Sequence, residues 1–257
     1  MRTISTSRAS LARSLFLYAT LACSALVPVA AMPISKQLVV TAIQVCNTAG
    51  TTCASTGSAG NAYFEAETDK IWAQAGIDIH FVFGGTVNNT ALFSNSDGVG
   101  TFAGSGPLAG PGTTMWLMDS FSSPGLYGNA WLDAGGTAIN MGLVTSFNGG
   151  IGRLDTIAHE LGHNLGLVAT SSGHDDSNPN FLIASGSVRN IPSSLGEICP
   201  DPGALTCYSL LTAAHIATAR SSLMLIDFTG VVPEPGGLAL AGLALATAFV
   251  ARRRRQD

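Results

Sequence analysis

Apolar and polar residues follow regular patterns in the first third of the chain. Residues Gln37 to Cys46 are rich in Val, Ile and Thr, which favours a β-strand, and Ile77 to Phe83 alternate along their length. Between them, Asn61 to Ala75 carry apolar residues at helical spacing, and Gly76 follows as a helix stop signal. A strand, a helix and a second strand in this order predict a sheet that is at least partly parallel.

Further segments with regular apolar spacing follow a long polar loop. Residues Gly84 to Gly112, which are rich in Gly, Asn and Ser, predict that loop. The predicted fold class is α+β, with a single domain over residues 32–231. The remaining predicted elements are strands over Met115 to Met118 and Ala130 to Met141, the second with a bulge or bend at Asp133 to Gly136, and helices over Arg153 to Leu165 and Leu211 to Leu225.

The composition limits the classes of protein to which the chain can belong. Hydrophobic residues make up 46% of the 257 residues and charged residues 11%, which excludes a disordered acidic or basic chain. Without residues 1–31 and 233–257, five basic and 14 acidic residues remain, a net charge of −9. A nucleic-acid-binding protein needs a basic surface to neutralise phosphates, so the charge argues against nucleic acid as a partner.

The first 31 residues are typical of a secretory signal peptide. Three arginines precede the apolar stretch from Leu15 to Val27, and Val29-Ala30-Ala31 supplies the small residues of a cleavage site. We therefore expect cleavage before Met32 and export of the rest of the chain. The alternative is an uncleaved N-terminal anchor, for which the apolar stretch is short.

The last 26 residues, 232–257, contain three ordered parts. Val232-Pro233-Glu234-Pro235 precedes the uncharged segment from Gly236 to Ala251, and Arg252 to Arg255 follow. This order resembles the PEP-CTERM sorting signal of Gram-negative bacteria. The resemblance implies transient anchoring in the inner membrane, recognition by an exosortase, removal of the tail, and display at the cell surface or release into the extracellular matrix. An ordinary short C-terminal transmembrane anchor with cytoplasmic arginines is the alternative.

The cysteine count agrees with export. Once Cys23 leaves with the signal peptide, Cys46, Cys53, Cys199 and Cys207 remain. An even number in an exported chain predicts two disulfides, which can pair in three ways. Pairing of neighbours, Cys46 with Cys53 and Cys199 with Cys207, closes the shortest loops.

The segment His159-Glu160-Leu161-Gly162-His163 carries the clearest chemical signal. Positions i and i+4 of a helix lie on the same face, so His159 and His163 can offer two imidazole nitrogens to one metal ion. Glu160 can then reach a metal-activated water without being a ligand, take its proton as general base and deliver the proton to a leaving amine. The pattern therefore predicts metal-dependent hydrolysis of a peptide bond.

A longer pattern, His-Glu-x-x-His-x-x-Gly-Leu from His159 to Leu167, resembles the active-site helix of the metzincin zinc endopeptidases. The resemblance implies a Zn²⁺ cofactor and a zincin domain, in which a mixed twisted sheet is packed with an active-site helix and a C-terminal helix. It also implies that Gly166 turns the chain so that a third histidine or aspartate completes the site.

The third ligand departs from the metzincin pattern. The expected position, three residues after Gly166, is Ala169, and an alanine side chain cannot bind zinc. His174 lies eight residues after this glycine, as if the loop between them held five extra residues. We therefore predict His174 as the third ligand, with Asp175 or Asp176 as fallbacks.

A second departure lies further along the chain. Residues Asn180 to Gly186 resemble the Met-turn of the metzincins, but Ile183 stands where methionine is usual. That methionine packs under the site without binding the metal, so isoleucine preserves an apolar floor. In another class of zinc enzyme a distant glutamate is the third ligand, and Glu197, 34 residues after His163, is the candidate for that alternative.

Together these features predict an exported zinc-dependent endopeptidase. His159, His163 and His174 are the expected zinc ligands, and Glu160 is the expected general base. A peptide or protein substrate would pair with an exposed edge strand, for which Ala130 to Met141 is the candidate.

The alternative is a catalytically impaired metzincin-fold protein that binds partners at the surface or in the matrix. Ala169 and Ile183, the two departures from the pattern, support it.

Overall fold

The computed structural model describes residues 32–95, 99–107, 110–167, 173–200 and 206–229. The predicted signal peptide, the predicted sorting tail and Ala169 lie outside these ranges, so the predicted domain limits stay predictions. Among the described residues, no helix is long and apolar enough to cross a membrane.

The start of the domain is the predicted β-α-β unit. Strands β1 (Lys36–Cys46) and β4 (Ile77–Asn88) are parallel along their whole length, and alternate side chains of β1 are buried. A small hairpin, β2 (Gly57–Ser58) and β3 (Asn61–Ala62), and helix α1 (Glu65–Ala73) connect them. The prediction of a partly parallel sheet is confirmed.

The main sheet has the order β4-β1-β5-β7-β6. Strands β5 (Thr113–Met118) and β7 (Thr137–Asn140) continue the parallel arrangement, and β6 (Gly128–Ala130) lies antiparallel to β7 at the edge. The short strand β8 (Ile226–Asp227) pairs with the beginning of β1. The result is a mixed α/β fold with a mostly parallel sheet and several helices.

The predicted loop from Gly84 to Gly112 is wrong at its start. Strand β4 passes Gly84 and Gly85 through a β-bulge and stays paired with β1 as far as Asn88. The Asn89 side chain then accepts hydrogen bonds from two backbone N–H groups of the next turn, where helix α2 (Thr90–Asn95) begins. A short 3₁₀ turn at Val99–Thr101 follows.

The predicted strand from Ala130 to Met141 is wrong, because it is two strands joined by a turn. Strand β6 ends at Ala130 and β7 begins at Thr137, and Asp133 and Gly136 between them adopt positive φ angles of 50° and 105°. The Gly-rich stretch therefore reverses the chain instead of bending one strand. Of these two strands, only β6 lies at an edge of the sheet, because β7 is paired on both sides.

Three helices complete the domain: α3 (Met141–Gly150), α4 (Thr156–Asn164) and α5 (Ala213–Arg220). Every residue of α4 is buried, so this helix lies in the middle of the fold. Helices α4 and α5 are both shorter than predicted. A capping box between Thr212 and His215 sets the start of α5, and the buried Asp155 stands at the N-cap of α4.

Both predicted disulfides are confirmed. Cys46 pairs with Cys53 across the turn after β1, and Cys199 pairs with Cys207.

Candidate metal centre

The first two predicted ligands lie one turn apart on α4. The Nε2 atoms of His159 and His163 are 3.2 Å apart. Two nitrogens that lie ~2.0–2.1 Å from one tetrahedral zinc ion would be separated by about 3.3 Å, so the observed distance fits a shared ion. The Nδ1 atom of His159 lies 2.7 Å from the backbone oxygen of Leu182. A proton on Nδ1 would be donated to this carbonyl and would leave the lone pair of Nε2 free for a metal ion.

A sharp turn at the end of α4 leads the chain toward the third histidine. Gly166 has a φ angle of +85°, and the N–H groups of Gly166 and Leu167 bond back to the carbonyls of His163 and Gly162. This Schellman arrangement needs the left-handed conformation, which glycine adopts without a Cβ penalty. The glycine of the motif therefore ends the helix.

His174 lies beside the other two histidines. Its ring centroid is 5.4 Å from that of His159 and 5.1 Å from that of His163. One ligand atom from each of the three side chains lies within 4.8 Å of the others, so the three histidines could hold a metal ion. The structure thus brings the predicted third residue to the predicted pair, across a loop five residues longer than the metzincin pattern implies.

The alternative ligands lie elsewhere or have other partners. Asp176 accepts hydrogen bonds from the backbone and the hydroxyl of Ser185 at 2.6 and 3.0 Å. Asp175 accepts from the backbone N–H of Ser177 and lies 3.7 Å from His215, and Ser177 holds the pKa of this carboxyl below its usual value. The exposed Glu197 accepts from Ser193. None of these three carboxylates belongs to the histidine cluster among the described residues.

The segment that resembles the Met-turn lies directly beneath the site. Ile183 is fully buried, and its Cδ1 atom would be 3.5 Å from a Cβ atom added at Gly162 of α4. Leu167 and Trp72 approach the same point to 3.4 and 3.7 Å. Gly162 therefore faces packed side chains and not the cleft, and isoleucine provides the apolar floor expected at this position.

A buried ion pair, absent from the sequence-based predictions, fixes this floor to the helix. The Nε atom of Arg189 is 2.8 Å from Oδ2 of Asp155, at the N-cap of α4, and both side chains are almost completely buried. Arg189 Nη1 also donates to the carbonyls of Ala184 and Leu182, at 2.8 and 3.3 Å, and makes a close contact with His159 Nδ1. The N–H of Nε is not aligned with the carboxylate as a hydrogen bond, so the attraction there is electrostatic.

Burial and nearby positive charges keep the first two histidines neutral. Burial, then Arg189 and His163, hold the pKa of His159 well below its usual value. Burial, then His174 and Arg189, lower the pKa of His163 to about 4. A neutral imidazole has the free lone pair that a metal ion needs, so both rings are in a ligand-competent state near neutral pH.

Glu160 lies against the edge strand. A Cβ atom at Gly128 of β6 would be 2.6 Å from Cγ and from Cδ of Glu160, so only glycine leaves space for this carboxyl group. Burial raises the pKa of Glu160 to about 8, while Arg189 and Arg153 lower it. A carboxyl whose pKa lies near neutrality can both accept and donate a proton, which suits the predicted general base.

These residues line a cleft of about 610 Å³. Residues 125–130, which include β6, contribute to its lining together with Gly173, His174, Gly186, Ser187 and Arg189. Arg153 also lines the cleft. No short-range pattern in the sequence marks Arg153, Arg189 or Gly128, because their roles depend on contacts between distant parts of the chain.

Comparison with known families identifies the tail. Residues 231–255 match the PEP-CTERM protein-sorting motif, which confirms the resemblance noted in the sequence. The motif implies recognition by exosortase-type sorting machinery and suggests a secreted protein with a C-terminal sorting signal. No curated protein matches the chain.

Proposed function

We propose that the exported domain is a zinc-dependent endopeptidase. One observation carries the proposal: the donor atoms of His159, His163 and His174 lie within 4.8 Å of one another, in an open cleft that also contains Glu160. Three protein ligands with an open fourth position are typical of catalytic zinc, whereas structural zinc sites are closed by four. Imidazole nitrogens also suit copper, iron and nickel, so the choice of zinc rests on the pattern of the motif.

Different groups of the protein take different roles in the proposed reaction. A bound zinc ion would supply Lewis-acid chemistry, polarising the substrate carbonyl and lowering the pKa of a water molecule. The carbonyl of Leu182 beside Nδ1 of His159 favours the tautomer in which Nε2 can bind the metal. Glu160 takes the proton of the attacking water and passes it to the leaving amine nitrogen. Gly128 leaves the space in which the carboxyl group of Glu160 moves between these two positions.

The edge strand offers a binding mode for the substrate. Strand β6 ends the sheet order and pairs only with β7 among the described residues, and it forms a wall of the cleft beside Glu160. An extended peptide can add to such an edge through backbone hydrogen bonds, which places its scissile bond near the histidines. In this proposal the substrate pairs with β6 (Gly128–Ala130), which replaces the Ala130 to Met141 candidate predicted from the sequence.

The sorting tail supports the proposal that the domain acts outside the cytoplasm. We propose that the tail anchors the chain transiently in the inner membrane and that its removal leaves the domain at the cell surface or in the extracellular matrix. The two disulfides suit such an oxidising compartment.

A peptide library, analysed by mass spectrometry, tests the proposal with the zinc-loaded protein. We expect cleavage at internal peptide bonds, lost in Glu160→Gln while zinc content is unchanged. His80→Gln is the control, because His80 is exposed in β4, outside the cleft. If the protein bound zinc but cleaved no peptide, or if Glu160→Gln kept its activity, the endopeptidase proposal would be wrong, and the first of these results would favour the impaired binding protein.

A further inference from the structure

The cleft contains a concentration of positive charge that is unusual for this chain. Residues 32–232 hold only five basic side chains, and two of them, Arg153 and Arg189, line the cleft. The other three are engaged elsewhere: Lys36 with Asp227, Lys70 with the carbonyl of Leu195, and Arg220 with the carbonyl of Ala75. Because the domain is acidic overall, the presence of two arginines in one cleft needs an explanation from the cleft itself.

Only one of the two cleft arginines is neutralised. Arg189 forms the buried ion pair with Asp155. Arg153 is only 6% exposed, yet it forms no ion pair with a described carboxylate. Its Nε atom has no hydrogen-bond partner among the described residues, and its one hydrogen bond there runs from Nη2 to the carbonyl of Gly186, at 3.3 Å. Arg153 therefore presents a buried positive charge with unused donors to the cleft.

The guanidinium group of Arg153 is held in a defined position. Its Cζ atom lies 4.3 Å from the ring centroid of Tyr127 and 5.9 Å from that of Phe147, which gives cation–π contacts on an aromatic platform. On another side, a Cβ atom at Gly186 would be 3.2 Å from Nη2, so the glycine leaves room for the group. A planar group fixed in this way is prepared for a ligand and loses little freedom on binding one.

No described charged group near Arg153 neutralises its guanidinium group by an ion pair. The charges of Asp155 and Glu160 act on Arg153, but neither carboxylate forms an ion pair with it, and Asp155 is already paired with Arg189. A zinc ion on three neutral histidines would add positive charge. Burying an unpaired guanidinium is costly, and a carboxylate that accepts two parallel N–H donors is the partner that best offsets this cost. The missing partner is therefore expected to arrive with the substrate.

We propose that Arg153 selects substrates that carry a carboxylate close to the scissile bond. The inference rests on the proposed peptidase function and adds the chemical class of its substrate. The carboxylate is either an Asp or Glu side chain or the free C-terminus of the peptide, because both present the same group to the guanidinium. Arg153 is a residue that determines specificity, distinct from the zinc ligands and the general base.

Matched peptides test the preference in the wild-type protein. One series replaces Asp by Asn at each position around a cleaved bond, and a second compares a free C-terminal acid with the amide. We expect about tenfold or greater kcat/KM for the acid in one of the two series, and the series that responds identifies the source of the carboxylate. Equal values for acid and amide in both series would overturn the inference, although the peptidase function would stand.

Variants assign the preference to Arg153. In Arg153→Gln the ratio of acid to amide should fall to near one, and Arg153→Lys should keep part of it, because lysine retains the charge but not the planar fork. Arg220→Gln, which removes an arginine outside the cleft, should leave the ratio unchanged. A preference that persists in Arg153→Gln would overturn the assignment.

A binding measurement separates this inference from the peptidase proposal. Calorimetry with Glu160→Gln, whose carboxyl function is removed, reports affinity for the same peptides without turnover. Tighter binding of the acid peptide, lost in the Glu160→Gln/Arg153→Gln double variant, supports the inference even if no hydrolysis is found. Equal binding of acid and amide peptides overturns it.

Discussion

Gly128 and Glu160 face each other so closely that any side chain at position 128 would require the Glu160 carboxyl group to move. A Cβ atom there would lie 2.6 Å from Cδ of Glu160. At this point strand β6, which lines the cleft, packs tightly against the proposed general base on helix α4.

We predict that Gly128→Ala displaces Glu160 without disturbing the histidines. Because a shift of ~1 Å in a catalytic group can cost about 100-fold in rate, kcat/KM should fall by about that factor while bound zinc stays unchanged. Gly110→Ala is the matched control, since Gly110 has no positive φ angle and open space around its Cβ position. Full activity in Gly128→Ala would show that the position of Glu160 does not matter.

The buried pair of Arg189 and Asp155 should contribute strongly to stability. Removing one partner, as in Arg189→Met, leaves an uncompensated buried carboxylate, so the free energy of unfolding should fall by about 3–5 kcal/mol in denaturant titrations. The exposed pair of Lys36 and Asp227 provides the comparison, and Lys36→Met should cost less than about 1 kcal/mol. Equal losses in the free energy of unfolding would show that the buried pair contributes no more to stability than the exposed pair.

Two glycines of the motif should respond to alanine in opposite directions. At Gly162 an added Cβ meets other atoms at 3.4 Å or more, so Gly162→Ala should gain up to about 1 kcal/mol from helix propensity. At Gly166 the φ angle of +85° is strained for any L-residue, so Gly166→Ala should lose about 1 kcal/mol or more. Thermal unfolding of the two variants measures both effects, and a loss at Gly162 would mean that the packing there is tighter than described.

Asp69 should make stability depend on pH. Burial, with the charges of Asp78 and Glu65, raises the pKa of Asp69 in α1 to about 7, although the N–H of Ile79 partly opposes this. The folded protein thus keeps a proton that the unfolded chain releases, and the free energy of unfolding falls as pH rises from about 4 to about 7. In Asp69→Asn this decrease in the free energy of unfolding is absent, because asparagine does not titrate.

The stability difference between Asp69→Asn and wild type should therefore increase across that pH window. It should level off above about pH 8, having changed by about 1–2 kcal/mol in favour of the variant after allowance for the partial exposure of the group. Urea titrations at pH 5 and pH 8 measure it, and a pH-independent difference would refute the raised pKa.

The parts of the fold that the sequence predicts are those with a local cause. Strand β1 and helix α1 follow from the spacing of their apolar residues, and His159 and His163 share a helix face because they are four residues apart. The end of β4, from Gly84 to Asn88, contains two glycines and little apolar alternation at an edge of the sheet, so a periodicity argument assigns it to a loop.

The remaining parts of the site depend on long-range contacts. Arg189 reaches Asp155 across 34 residues, and Gly128 meets Glu160 only because β6 packs against α4. The position of His174 beside the other histidines agrees with the sequence-based hypothesis, but its role as a ligand stays a prediction. No local pattern could have indicated Arg153, whose significance lies in the partner that it lacks.

The central claim is that three histidines bind one zinc ion, and metal analysis of the purified protein tests it most directly. We predict about one zinc per chain in the wild-type protein and in His80→Ala, and a loss of tight binding in His174→Ala. Protein that binds no zinc, or His174→Ala that binds zinc as tightly as the wild type, would contradict the three-histidine site.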